Sequence, residues 1–165
     1  MARSQDVLVT IAHIRRGASQ DALQVAYVLK RSFSEYESLY TKDGYAATTP
    51  NAATILRRMQ EGPLWVADCE KEIVGTAAAM SRDSGLYLRG MAVLPTARSQ
   101  SLGLLLLEEI ERFAVQSGCR RLFLSTTPFL NRAIRLYEGF GFHATNEGPH
   151  DLFGTPLFTM EKTLA

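Results

Sequence analysis

The segment that decides the fold is residues 93–107, VLPTARSQSLGLLLL, in which an apolar strand end is followed by a polar turn and an apolar helix start. The helix predicted after the turn runs from Leu102 to Ser117. Such a turn presents free backbone N–H groups at the positive end of the helix, where a phosphate or pyrophosphate can bind, and Arg98 would add charge. The same residues also fit an ordinary strand–helix turn capped by Ser99 or Ser101, so both interpretations stay open at this point.

Outward from this turn, the pattern of apolar residues predicts a single α+β domain. We expect strands over residues 7–14, 64–69, 73–80, 86–94, 122–125, 142–145 and 156–162. We expect helices over 19–34, 50–60, 102–117 and 131–138, a loop or broken helix over 35–49, and a flexible polar tail over 1–5. The short connections between the second and fourth strands predict an antiparallel meander. A strand–helix–strand crossover then makes the sheet mixed, with about seven strands and helices on its faces.

Composition excludes several classes of protein. The 165 residues suit one domain, and 46% hydrophobic with 21% charged residues is ordinary globular usage. A formal net charge of +1 argues against a strong overall positive field, so we expect no nucleic-acid partner. The longest aliphatic run is only Leu104 to Leu107, so we expect no membrane partner. Cys69 and Cys119 have neither disulfide-framework nor metal-ligand spacing, so we expect a cytoplasmic protein without a metal.

A second motif, Asn131 to Phe142 (NRAIRLYEGFGF), starts a helix after a short buried strand. Together the two segments resemble the GCN5-related N-acetyltransferase (GNAT) superfamily over about residues 86–145, and the element order extends the resemblance over nearly the whole chain. The family's later motif has a helix-start Asn, an Ala, L-Y-E and G-F, as here. Its first motif, V-x-P followed by R-G-x-G-x-G and L-L, is degraded, because Ser99 and Ser101 stand where the family usually has Gly.

The resemblance implies a central, mostly antiparallel sheet with helices on both faces, and acetyl-CoA as the cosubstrate. It implies transfer of the acetyl group to a primary amine of a small molecule, amino acid or peptide, by direct transfer in a ternary complex. A non-catalytic acyl-CoA-binding or sensing module is the alternative, because Ser101 could weaken the pyrophosphate loop. The residues that the resemblance places against acetyl-CoA are Met91, Ala92, Val93, Arg98, Ser99, Gln100, Ser101, Leu102, Gly103 and Asn131.

The resemblance also makes Tyr137 the general acid that protonates the leaving thiolate, since a phenol with a pKa near 10 is neutral and can donate. Its other role would be that of a core aromatic residue. No carboxylate stands on the strand before the turn, so Glu35 and Glu37 are the candidates for a general base or for binding the amine. His150 could also accept a proton, as could ordered water.

The acceptor pocket is expected in the variable regions, roughly residues 30–50 and 145–156. Arg89 could hold a substrate carboxylate or face solvent. Segment 156–160 is apolar enough to pack across a homodimer, or to form an ordinary core strand.

Overall fold

The computed structural model describes residues 12–83, 85–148 and 150–165. Residues 7–11 of the predicted first strand, and the predicted tail, lie outside these ranges. The helices are α1 (Ala22–Phe33), α2 (Lys42–Thr48), α3 (Ala52–Glu61), α4 (Leu102–Gln116) and α5 (Asn131–Phe140). The strands are β1 (His13–Arg16), β2 (Leu64–Cys69), β3 (Glu72–Arg82), β4 (Gly85–Val93), β5 (Arg121–Thr126), β6 (His143–Ala144), β7 (His150–Leu152) and β8 (Thr155–Thr163).

The strands form one mixed sheet in the order β1-β2-β3-β4-β5-β8-β6, with β7 also paired to β8. Among the strand pairs of the described residues, only β4–β5 is parallel. The predicted α+β class and mostly antiparallel sheet are therefore confirmed. The described residues contain eight strands instead of the seven predicted, because His150–Leu152 pairs with β8. This added strand has three residues, of which two are polar, so it carries no alternating apolar pattern to predict it.

The core lies on both faces of the sheet. Helices α1 and α3 cover one face, where Val25, Leu29 and Ile55 are buried. Helix α4 packs on the other face with Leu106 and Ile110, both fully buried. Burying an aliphatic side chain of this size contributes about 1.5–3 kcal/mol. These two apolar layers fix the helix positions and confirm the expectation of helices on both faces.

Strands β4 and β5 separate part of the way along their length. They pair only over Leu86–Leu88 and Leu122–Leu124, although both strands continue beyond these residues. On its other side β4 carries a bulge, where the register with β3 shifts around Gly90. Gly90 has φ +59°, a conformation that glycine adopts without steric cost. A bulge bends its strand, so β4 leaves β5 and a gap opens in the sheet.

The two predicted variable regions pack against each other. The 35–49 segment contains helix α2, capped by Thr41, whose Oγ1 accepts a hydrogen bond from the Gly44 N–H at 3.0 Å. The same hydroxyl donates to the Phe153 carbonyl at 2.9 Å. A Cβ on Gly44 would lie 2.5 Å from Thr155 Oγ1, so glycine allows α2 to approach the β7–β8 hairpin this closely. The hairpin and α2 therefore form one wall over the gap.

Segment 156–160 lies in β8, whose backbone pairs with β5 on one side and with β6 and β7 on the other. Both edges of this strand are thus used within the chain. Within the described ranges, no helix combines the length and apolarity that a membrane crossing requires. The same ranges hold no group of three or more side chains suited to bind a metal ion.

Candidate active site

A cavity of about 390 Å³ opens where β4 leaves β5. Its walls come from the ends of α1 and β4, the turn before α4, and the first turns of α4 and α5. Six of the ten residues predicted to bind acetyl-CoA line it: Met91, Ala92, Val93, Arg98, Ser101 and Gly103. Among the described residues, the backbone of β4 beyond Leu88 pairs with no strand on the β5 side. The Val93 carbonyl accepts a hydrogen bond from the Ser32 hydroxyl at 3.1 Å, and the remaining polar groups on this side are open to an extended ligand.

The other four predicted residues do not line this cavity. Ser99 and Gln100 are exposed in the 3-10 turn Pro95–Gln100. Leu102 is buried in the core with 2% of its surface exposed. Asn131 is exposed as the first residue of α5, while the preceding Leu130 faces the cavity.

Ser101 begins α4 in the left-handed conformation, with φ 56° and ψ 27°. Glycine adopts this conformation freely, whereas for serine it costs roughly 1–2 kcal/mol. This conformation explains why the GNAT motif that the segment resembles usually has Gly at this position. The N–H groups of the first turn of α4 have no partner within the helix, and the helix dipole makes this end positive. Gly103, in the same turn, packs closely against Leu136. A Cβ at this position would lie 2.7 Å from Leu136 Cδ2, so glycine permits the close contact.

Arg98 lies at the cavity wall and is held by Glu35. Its Nη2 donates to Glu35 Oε1 at 2.6 Å and to the Ser32 carbonyl at 3.4 Å. Glu35 therefore neutralises the guanidinium that was predicted to meet the pyrophosphate. Glu37 is exposed, and neither glutamate is among the residues that line this cavity or the second cavity described below.

Tyr137 stands where this cavity meets a second one. Its side chain is only 8% exposed and packs against Phe142 with ring centroids 5.8 Å apart. Burial, with a smaller contribution from the Tyr40 phenol, raises the pKa of Tyr137 to about 12. The phenol is therefore neutral at physiological pH and can donate a hydrogen bond. The residues that line both cavities are Phe33, Met91, Leu130 and Tyr137.

The second cavity measures about 290 Å³ and lies beneath α2 and the β7–β8 hairpin. Leu152 and Leu157 supply apolar walls, and the polar lining includes two guanidinium groups, from Arg58 and Arg89. Tyr40 is buried here, and burial raises its pKa above the ordinary value. No Asp, Glu or His is among the lining residues in the described part of the chain.

The other predicted candidates lie elsewhere. His150 and Asp151 are exposed on β7, and the Asp151 carboxylate accepts the Gly154 N–H at 2.8 Å, which stabilises the hairpin turn. Arg58, Tyr40 and Leu130 were not predicted from the sequence as site residues. Arg58 and Tyr40 carry no motif, because only tertiary packing brings α3 and the end of the 3-10 segment before α2 to the cavity.

Comparison with known proteins identifies the family. The model of the acetyltransferase (GNAT) family matches residues 26–142. The chain is 33% identical over 135 residues to the uncharacterized N-acetyltransferase YjgM of Escherichia coli K12. This alignment covers 78% of this chain and 80% of YjgM.

Solved structures share the fold. PaiA N-acetyltransferase from Thermoplasma acidophilum in complex with coenzyme A superimposes with a TM-score of 0.79 at 17% identity, covering 93% of this chain and 99% of that one. An acetyltransferase of the GNAT family from Staphylococcus aureus MU50 superimposes with a TM-score of 0.78 at 17% identity, with the same coverage of both chains. The family match, the YjgM identity and the shared fold agree with the resemblance seen in the two sequence motifs. The chain therefore belongs to the acetyltransferase (GNAT) family and is an N-acetyltransferase.

Proposed function

We propose that the chain transfers an acetyl group from acetyl-CoA to a primary amine of a small molecule, amino acid or peptide, with both substrates bound at once. The observation that carries this proposal is the position of Tyr137, a buried neutral phenol at the junction of two cavities. The cavity at the α4 turn would take acetyl-CoA, and the cavity with the two guanidinium groups would take the amine. The near-neutral net charge supports a small acceptor over a nucleic acid.

The first cavity fits acetyl-CoA in its chemistry. A pyrophosphate is an anion, and the start of α4 offers free N–H groups at a positive helix end beside Arg98. The backbone of β4 around Met91, which pairs with no described strand on the β5 side, can hydrogen-bond an amide-containing arm, as a neighbouring strand would. Acetyl-CoA supplies a thioester, whose C–S bond breaks as the acetyl carbon bonds to the amine nitrogen.

Tyr137 would donate a hydrogen bond from its hydroxyl to the departing sulfur, on which negative charge develops. An unpaired N–H of β4 near Met91 would stabilise the negative charge that develops on the acetyl oxygen. The attacking amine must also lose a proton. Because the described lining of the second cavity has no carboxylate or imidazole, this proton would pass to water.

Direct transfer is favoured over a covalent acyl-enzyme. Nucleophilic catalysis requires an activated nucleophile next to the acyl donor. Cys69 and Cys119 are the two cysteines of the chain, and neither is among the residues lining a cavity. With no thiol placed to take the acetyl group first, the amine itself would attack the thioester.

Steady-state kinetics test this proposal. Thiol release from acetyl-CoA is measured over a panel of primary amines, and both substrates are then varied for the best acceptor. Intersecting double-reciprocal lines are expected for a ternary complex. Parallel lines would indicate a covalent intermediate and contradict direct transfer. Binding of acetyl-CoA without thiol release from any amine would contradict catalysis.

A further inference from the structure

The second cavity holds a half-buried positive charge, that of Arg58, which forms no ion pair with any carboxylate in the described part of the chain. Arg58, near the end of α3, makes its hydrogen bond in the described part of the chain to the Ala47 carbonyl, at 3.4 Å from Nη2. No described carboxylate lies within 4.0 Å of this guanidinium. Partly buried arginines are usually paired, because an isolated charge away from water is costly.

Arg89, on β4, brings a second guanidinium to the same cavity. One of its nitrogens, Nη2, pairs with Glu61, but its Nε is buried and has no hydrogen-bond partner. Thr127 Oγ1 is the other buried side-chain polar atom without a partner in the described part of the chain. The Tyr40 hydroxyl comes near Thr127, though not in hydrogen-bond geometry. Both unsatisfied atoms belong to residues that line this cavity, which is where a ligand atom would satisfy them.

The two guanidinium groups also repel each other. Burial, and then the neighbouring charge of Arg89, lower the pKa of Arg58. An anion bound between the two guanidinium groups would offset both the cost of burial and their mutual repulsion. The planar, forked donors of arginine match a carboxylate, which can accept two parallel hydrogen bonds.

We propose that the acceptor is a small amine that also carries a carboxylate, with the carboxylate bound between Arg58 and Arg89 and the amine directed toward Tyr137. This inference rests on the proposed acetyl transfer and specifies its acceptor. Arg89 lies two residues before Met91 on β4, and Met91 and Tyr137 line both cavities. One small molecule can therefore reach from the arginines to the junction. The cavity of about 290 Å³ is at the lower end of the range for small-molecule sites, which suits an acceptor of amino-acid size.

Matched acceptors test the carboxylate directly. Thiol release from acetyl-CoA is measured for each standard amino acid, for its α-carboxamide and for aminoalkylphosphonates. Simple amines and polyamines form a separate arm. The wild-type protein should prefer an amino acid over its carboxamide by about 10- to 100-fold in kcat/KM, as expected for charge-assisted hydrogen bonds. This ratio compares two substrates of one protein preparation, so partial unfolding cancels.

Variants then assign the preference to the two arginines. Arg58→Gln and Arg89→Gln should bring the acid-to-amide ratio close to one, while Arg58→Lys and Arg89→Lys should keep part of it. Arg57→Gln is the matched control: Arg57 is exposed on the same helix and bonds to Thr54 Oγ1, so the ratio should stay at the wild-type value. A role of the arginines in folding alone would lower both activities and leave the ratio unchanged.

The outcomes separate this inference from the proposed function. Equal activity on acids and amides, or activity on simple amines only, would overturn the carboxylate site while acetyl transfer stands. A preference for phosphonates would overturn the choice of a carboxylate over other anions. No thiol release with any amine in any arm would overturn acetyl transfer itself. If a Gln variant does not fold, the wild-type ratio and the Lys variants decide.

Discussion

Removal of one oxygen atom from Tyr137 isolates its proposed role. Tyr137→Phe keeps the ring, which is buried and packs against Phe142, so the free energy of unfolding and the affinity for CoA should change little. Only the donor at the junction of the two cavities is lost. The variant therefore separates catalysis by the phenol from packing by the ring.

The expected loss follows from the pKa of the phenol. At about 12, the pKa of Tyr137 is about 3.5 units above that of an ordinary thiol. Complete proton transfer to the thiolate is uphill in a shared environment, so the main contribution is a hydrogen bond to the developing negative charge. Such a bond contributes about 1.5–3 kcal/mol. The corresponding decrease in kcat is about 10- to 150-fold.

The assay is thiol release at saturating acetyl-CoA and amine, with CoA affinity measured by calorimetry and folding by thermal unfolding. Tyr27→Phe is the control, since Tyr27 is 59% exposed on α1 and lines neither cavity. It should behave as wild type. A kcat for Tyr137→Phe within about three-fold of wild type, with CoA affinity kept, would refute the donor role.

Three further predictions follow from the same geometry. Because the pKa of Tyr137 is raised to about 12, its donor form persists at alkaline pH. In a pH–rate profile, kcat should therefore rise as the amine deprotonates and show no fall below about pH 10. A fall of kcat with an apparent pKa between about 7 and 9 would contradict this. Arg98→Gln should weaken CoA binding about 10-fold, as measured by calorimetry. Glu35→Gln frees Arg98, so it should tighten CoA binding by about two- to five-fold and leave kcat unchanged. A large loss of kcat in Glu35→Gln would instead indicate that Glu35 acts as a base. Gly44→Ala would place a Cβ 2.5 Å from Thr155 Oγ1, so it should lower the free energy of unfolding by about 1–3 kcal/mol. It should also raise KM for the amine and have little effect on CoA affinity. An unchanged Tm would show that α2 and the hairpin are not closely packed.

The sheet and its main helices could be predicted because their signals are local. Alternating or continuous apolar runs mark the strands from β2 to β5, and the buried face of α4 repeats with helical period. The turn before α4, for which a pyrophosphate-binding role is predicted, was also a local feature, and Ser101 in the left-handed conformation shows why the family usually has glycine there. The sequence predicts a loop or broken helix where α2 forms, because α2 is only seven residues long and contains Gly44.

The acceptor side could not be predicted because it is assembled from distant segments. Arg58 and Arg89 are 31 positions apart and meet only after α3 packs against the sheet, as the pocket they share shows. Glu35 reaches Arg98 from 63 residues away, and no sequence spacing reports this pairing. Gly90 was the one available signal, since a glycine inside a strand often marks a bulge, and here the bulge accompanies the gap between β4 and β5.

In the proposed complex the thioester lies at the junction of the two cavities, beside Tyr137. A crystal structure of the chain with coenzyme A bound tests it most directly. We expect the CoA sulfur within hydrogen-bond reach of Tyr137 Oη, with the pyrophosphate at the start of α4. A sulfur elsewhere, or a pyrophosphate away from the turn before α4, would contradict it.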